Sequence, residues 1–237
     1  MKKTIGIAAG IAAALTLLTA APATAATATS TIYVPDGFVS SLSGTRAAGH
    51  YEVEGTKLHI WTDEAETGYP QKVAEYVATD TPLSAADDAA LDYTATSGGA
   101  PGFQLVVDLD GDGDKDGILV GEAAYNGDWW LADISASTPD LSTAPGPAHG
   151  YKHAGDLASW TKAFPDADVI AFGFSLGSGV LGDGVINSIT LAGTTYTFGE
   201  HVVLAGKNEC KAGGWANSTK PVFKNQGQCV SFFATAK

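Results

Sequence analysis

Apolar residues recur in short alternating runs broken by glycine, and this rhythm limits the fold more than any other feature. Tyr51 and Val53, then Leu58 and Ile60, alternate on either side of Glu54-Gly55-Thr56. Successive side chains on a strand point to opposite faces, so such a run is a half-buried strand. The same signal covers residues 73–79, 91–96, 102–107, 118–120, 129–131, 169–174 and 185–191. Residues 188–191 and 194–198 flank Ala192-Gly193, which is a hairpin signal. One stretch before the tail fits a helix. Asp156 can cap it, Leu157, Trp160, Thr161 and Phe164 share a face, and Pro165 ends it. Residues 135–150 carry three prolines among Ser, Thr and Gly and read as a long loop. There is no βαβ rhythm. The expected fold is all-β: an antiparallel β-sandwich of jelly-roll type with one short helix and a small C-terminal module.

The chain begins as an exported protein would. Lys2 and Lys3 precede an apolar run from Ile5 to Ala20, and Ala23-Thr24-Ala25 offers small residues for cleavage. Residues 1–25 are therefore read as a signal peptide. The run is short for a spanning helix, so no membrane span is expected after cleavage. Residues 26–30 are rich in Ala, Thr and Ser and are expected to be a flexible start. The sandwich is expected over 31–199. Composition shifts after that, and 207–237 read as a separate module holding Cys210 and Cys229. These are the two cysteines of the chain, and in an oxidising compartment they are expected to pair. A segment this short needs such a staple, or docking, to stay folded. Asn225 can cap a short helix through Phe232, with Val230 and Phe233 packing it.

Charge narrows the partners. Acidic residues outnumber Lys and Arg by 26 to 13, for a net charge of −13. Nucleic acids and anionic membrane surfaces attract clustered cations, so neither is an expected partner.

The strongest chemical signal lies between two apolar runs, Leu105-Val106-Val107 and Ile118-Leu119-Val120. Asp108, Asp110, Asp112, Asp114 and Asp116 occupy every second position of one loop. Calcium takes many oxygen ligands from a tightly bending segment, and Gly113 permits the bend. An EF-hand would need Glu at the twelfth position, which is Leu119. The expectation is a structural Ca2+ site closing a β-hairpin. A second register starting at Asp112 also fits, so the ligand set stays open. The loop resembles those of FG-GAP/VCBS repeats, which read DxDGDGxxD between strands. Asp108, Asp110, Asp112 and Asp116 fall on those positions.

Two further motifs bear on function. Gly173-Phe174-Ser175-Leu176-Gly177 satisfies G-x-S-x-G. A nucleophile elbow requires a long helix after the serine, and the glycines up to Gly184 oppose one. Asp183 and His201 follow in triad order, so a serine hydrolase using Ser175 is a minor alternative, and no catalytic residue is assigned. In Tyr125-Asn126-Gly127-Asp128-Trp129-Trp130, one indole can face the core and the other a ligand. Asn126, Asp128, Trp129 and Trp130 are the candidate ligand-binding set, because stacking plus hydrogen bonding is how a protein holds a sugar ring.

The tail, Cys210-Lys211-Ala212-Gly213-Gly214-Trp215 and later Phe223-Lys224-Asn225-Gln226-Gly227-Gln228-Cys229-Val230, is similar to a C-terminal segment of secreted actinobacterial proteins. The resemblance implies Gram-positive export and brings no activity with it. The expected function is a secreted, non-catalytic module that binds polysaccharide or a cell-wall component. The alternative from another class is a structural or adhesive envelope protein that acts by protein contacts.

Overall fold

A computed structural model describes residues 28–64 and 70–235. The expected signal peptide lies outside them. Among the described residues there are twelve strands: β1 (Ala28–Tyr33), β2 (Gly49–Glu54), β3 (Lys57–Thr62), β4 (Lys72–Pro82), β5 (Ala90–Gly98), β6 (Gly102–Asp108), β7 (Gly117–Gly121), β8 (Trp129–Ala132), β9 (Ala154–Gly155), β10 (Asp168–Gly177), β11 (Gly182–Leu191) and β12 (Thr194–Gly199). The helices are α1 (Leu157–Ala163) and α2 (Gln226–Thr235).

The strands form two six-stranded sheets. The first has the order β1-β12-β11-β3-β2, with β5 also paired to β11. The second runs β4-β10-β6-β7-β8-β9. The chain crosses between sheets from β3 to β6, as a jelly roll does, and then stays in one sheet as the meander β6 to β9. Pairing is antiparallel except at β1, which lies parallel to β12. Ala28, Thr29 and Ser30 pair with Thr194, Thr195 and Tyr196, so the expected flexible start is corrected there. Their Ala/Thr/Ser composition reads as loop, but the edge of β12 supplies the ladder that holds them extended.

The core fills the space between the sheets. Leu58, Ile60, Ile186 and Phe198 from the first face Leu105, Leu119, Phe172 and Phe174 from the second, all fully buried. Strand β6 is buried along its whole length, including its polar residues Gln104 and Asp108. Helix α1 forms as expected. Asp156 accepts a hydrogen bond from Ser159 N at 2.8 Å, and fully buried Trp160 plugs the core. The indole N–H of Trp160 donates to the Trp129 carbonyl at 3.0 Å, tying the helix to β8.

The β11–β12 hairpin shows how a weak turn sequence is rescued. Ala192 has φ +49°, a left-handed conformation that L side chains resist. Both carboxylate oxygens of Asp88 accept the turn's N–H groups, from Ala192 and Gly193, each at 2.7 Å. A distant carboxylate thus satisfies donors that the turn itself cannot.

The tail is stapled by the Cys210–Cys229 disulfide, with Cα atoms 5.8 Å apart. Leu204, Phe223 and the two cysteines form its own small core, with Trp215, Val230 and Phe233 against it. Asn225 caps α2 by accepting from Gln228 N at 2.9 Å, while the Gln228 side chain accepts from Lys224 N at 2.6 Å. The module is anchored to the sandwich through Asp36, which pairs with Lys220 and lies 3.6 Å from His201.

Candidate functional site

The aspartate loop closes the β6–β7 hairpin, with Val107 paired to Gly117 across its base. The structure separates the five aspartates into two groups. Asp108 and Asp116 sit at the loop's ends and are buried, at 3% and 0% exposure. Asp112 and Asp114 are exposed at its tip. Side-chain oxygens of Asp108, Asp110 and Asp116 lie within 4.8 Å of one another and can hold a metal ion. Asp112 and Asp114 are not in that cluster. Asp112 instead accepts from Asp114 N at 2.8 Å.

The backbone is wound to keep these carboxylates together. Asp108 accepts from Gly111 N at 2.8 Å and from Gly113 N at 2.7 Å. Gly111 and Gly113 have φ of +75° and +93°, which a residue with a Cβ would resist. Asp116 accepts from Leu109 N at 2.7 Å through one oxygen. Its other oxygen is buried and has no hydrogen-bond partner. Burial raises the Asp116 carboxyl above the usual carboxylate range, the Leu109 N–H opposes this, and the charges of Asp110, Asp108 and Asp112 add to it. The 135–138 loop locks the position: Ser135 N and the Thr138 hydroxyl both donate to the Asp116 carbonyl. Lys115, the one cation within the ladder, is engaged by Asp133.

A second feature lies on the outer face of the second sheet. It is a groove of about 730 Å³ running from β4 to β8. One row of paired residues crosses the sheet: Tyr76, Gly173, Gln104, Val120 and Trp130. The next row on β4, β10 and β6 is Ala74, Ser175 and Gly102, and beyond it Lys72 pairs with Gly177. Gly102, Ser175 and Gly177 line the groove. The Tyr76 hydroxyl reaches across Gly173 and donates to Gln104 Oε1. Burial pushes the Tyr76 phenol up to about 12, with Asp133 and Glu75 adding, so it stays a neutral donor. Trp130 forms the wall at the β8 end. Its ring stacks on Tyr151 at 4.0 Å, and its indole N–H is buried with no partner.

The candidate ligand-binding set divides accordingly. Trp130 lines the groove. Trp129 is a correction: at 6% exposure it is core, packed on Phe103. Strand alternation sends it inward, and a Cβ on Gly121 would come within 2.9 Å of its ring. Asp128 is held by His149 at 2.7 Å and lines a separate cleft beside Tyr93. Asn126 sits in a turn at φ +52°.

Ser175 lies within strand β10 and lines the groove, so no elbow forms around it. The glycines of its motif have another explanation. A Cβ on Gly173 would collide with the Glu75 carbonyl, and one on Gly177 with that of Gln71. Asp183 and His201 do not join the serine. Asp183 contacts His59 at 3.1 Å in the other sheet, and His201 stacks on Tyr33 at 4.1 Å. Among the described residues no histidine lines the groove.

Sequence reading missed the groove. Its trace was the period-two series of small and polar residues, Gly102 and Gln104 on β6 and Gly173, Ser175 and Gly177 on β10. Their joint meaning depends on the register between the strands. No family model matches the chain, and no curated protein or solved structure is significantly similar to it. The fold and its disulfide define a stapled β-sandwich, and its function must be argued from these two sites.

Proposed function

We propose that this is an exported, non-catalytic glycan-binding sandwich whose hairpin loop at 108–116 binds calcium as a structural ion. The observation that carries the binding reading is the groove with Trp130 in its wall. An indole beside a polar floor offers a pyranose ring both a stacking surface and hydrogen-bond partners. For the ion, the support is the orphaned Asp116 oxygen facing neighbours of the same charge. Export is supported by the disulfide, and no helix among the described residues is long and apolar enough to cross a membrane.

The test is a polysaccharide and glycan array probed with wild type and Trp130→Ala. Binding by the wild type that disappears in the variant, with the melting temperature preserved, is the expected result. Binding that survives Trp130→Ala would move the site elsewhere, and none at all would remove the reading. The exposed tail residues Val222 and Phe232 favour the envelope alternative, in which the protein works by protein contacts. Cell-surface association that is lost on removing 207–237, with no glycan binding, would select it.

A further inference from the structure

One end of the groove holds Lys72, with Arg46 beside it at the sheet edge. Lys72, on β4, lines it and is half-buried. Arg46 forms a β-bridge with Lys72 from the segment that runs along the open edge of β4. Both side chains fold over Gly44. The Lys72 ammonium is 3.6 Å from where a Gly44 Cβ would stand, and Arg46 donates to the Gly44 carbonyl at 3.1 Å. A second Arg46 nitrogen donates to the Ser178 hydroxyl at 3.4 Å, and Ser178 also lines the groove. Among the described residues neither cation forms an ion pair. Glu122 and Asp133 also line the groove; Asp133 pairs with Lys115, and its charge partly offsets that of Arg46 at Lys72. In a chain with twice as many acidic as basic residues, two adjacent unpaired cations are unexpected. Burial, and then the charge of Arg46, hold the Lys72 amine below its usual value, which agrees with like charges held together.

The rest of the groove indicates what kind of anion belongs there. Trp130 stands across the sheet from Lys72, with β7, β6 and β10 between their strands. Four strand spacings give roughly 19 Å across the sheet, and Lys72 lies four residues along β4 from the Trp130 row, roughly 13 Å more, so the diagonal is roughly 23 Å, the span of a short oligosaccharide. A polyol phosphate has no ring face for the indole to stack on, whereas a uronic acid carries both a ring and a carboxylate. A guanidinium and an ammonium close together, with the Ser175 and Ser178 hydroxyls lining the same groove, are suited to a carboxylate.

We propose that the Lys72/Arg46 end of the groove is a subsite for the carboxylate of a uronic acid in an acidic polysaccharide. This rests on the glycan-binding reading and specifies its ligand class. Charge-assisted hydrogen bonds contribute enough that the acid should bind roughly tenfold or more tightly than its neutral counterpart.

The experiment is calorimetric titration of the full exported chain at fixed calcium. The probes are a short galacturonate oligomer, its methyl ester and a glycerol-phosphate oligomer. The expected result is a preference for the acid, erased in Lys72→Met/Arg46→Gln and retained in Lys72→Arg. Residual binding of the ester should survive in the double variant and be lost in Trp130→Ala. Equal binding of acid and ester by wild type would overturn the subsite and leave the glycan reading standing. So would an acid preference that the double variant keeps, or a preference for the glycerol phosphate. Binding of neither galacturonate probe would overturn the subsite, and a glycan array that also binds nothing would remove the glycan reading with it.

Discussion

Replacing Asp116 by Asn isolates the ion site, because the change removes one charge and almost no volume. The Leu109 N–H can still be accepted by the amide oxygen, so the hydrogen bond at 2.7 Å has a replacement. The proposed ion site would lose its most buried carboxylate. For an extracellular calcium module with a dissociation constant of about 10⁻⁴–10⁻³ M, about 10 mM calcium stabilises wild type by roughly 1.4–2.7 kcal/mol. For a domain of this size that raises the melting temperature by roughly 3–10 °C. In Asp116→Asn the calcium-dependent rise should vanish. Without calcium the sign should reverse. Asp116 lies within 4.8 Å of Asp108, and both are buried. Two like charges at that distance repel by roughly 3 kcal/mol at an effective dielectric of about 20. Removing one should therefore leave the midpoint in EDTA unchanged or raise it. Differential scanning fluorimetry of both proteins, in EDTA and across a calcium titration, reads all four quantities. If the variant loses the same stability in EDTA as in calcium, Asp116 matters as an acceptor for Leu109 and the metal argument fails. A wild type that does not respond to calcium would make the loop an acidic turn only.

Three further outcomes follow from particular contacts. Trp129→Ala should cost about 3–5 kcal/mol in denaturant unfolding, as large core truncations do, whereas Trp130→Ala should cost far less. Removing the staple with Cys210→Ser and Cys229→Ser opens a loop with a sequence separation of 19 and should cost roughly 3 kcal/mol. Hydrogen exchange should place that loss in α2 and leave β6 protected; equal deprotection of both would show that the tail and sandwich unfold as one. The pH dependence should carry a contribution from His59. Burial lowers its pKa, but hydrogen bonds to Asp183 and Glu52 and the charges of Asp183 and Glu54 outweigh this, so the net direction is up. A raised value means that the charged form is favoured in the fold. This contribution is present in full below about 6.5 and is lost as pH rises through the higher folded value. Wild type should lose a little stability across that window, and His59→Gln should flatten the slope. A slope that survives the substitution would assign it to other groups.

The strands at 49–54, 57–62 and 102–108 could be read from the chain because each carries its burial pattern locally. So could the cap at Asp156 and the capped tail helix, because a cap lies within a few residues of what it satisfies. Strand β1 could not. Its residues have no apolar alternation, and they are extended because β12 is beside them. The hairpin at Ala192-Gly193 was legible as a turn, but the Asp88 carboxylate that satisfies it lies about a hundred residues away in the chain.

The two sites divide in the same way. The aspartate loop is contiguous, so its spacing and its place between two apolar strands were already present in the sequence. Which of the five carboxylates converge was decided by folding, since β6 and β7 bury the ends of the loop and leave its tip in water. The groove has no contiguous trace. Tyr76, Gln104, Trp130, Lys72 and Arg46 come from three strands and an edge segment. Only the register of β4, β10, β6, β7 and β8 puts the strand residues on one face. Local patterns determine which residues are buried, because alternation and capping act over a few residues. Which exposed residues meet is settled by strand order and register, because those depend on contacts between distant parts of the chain.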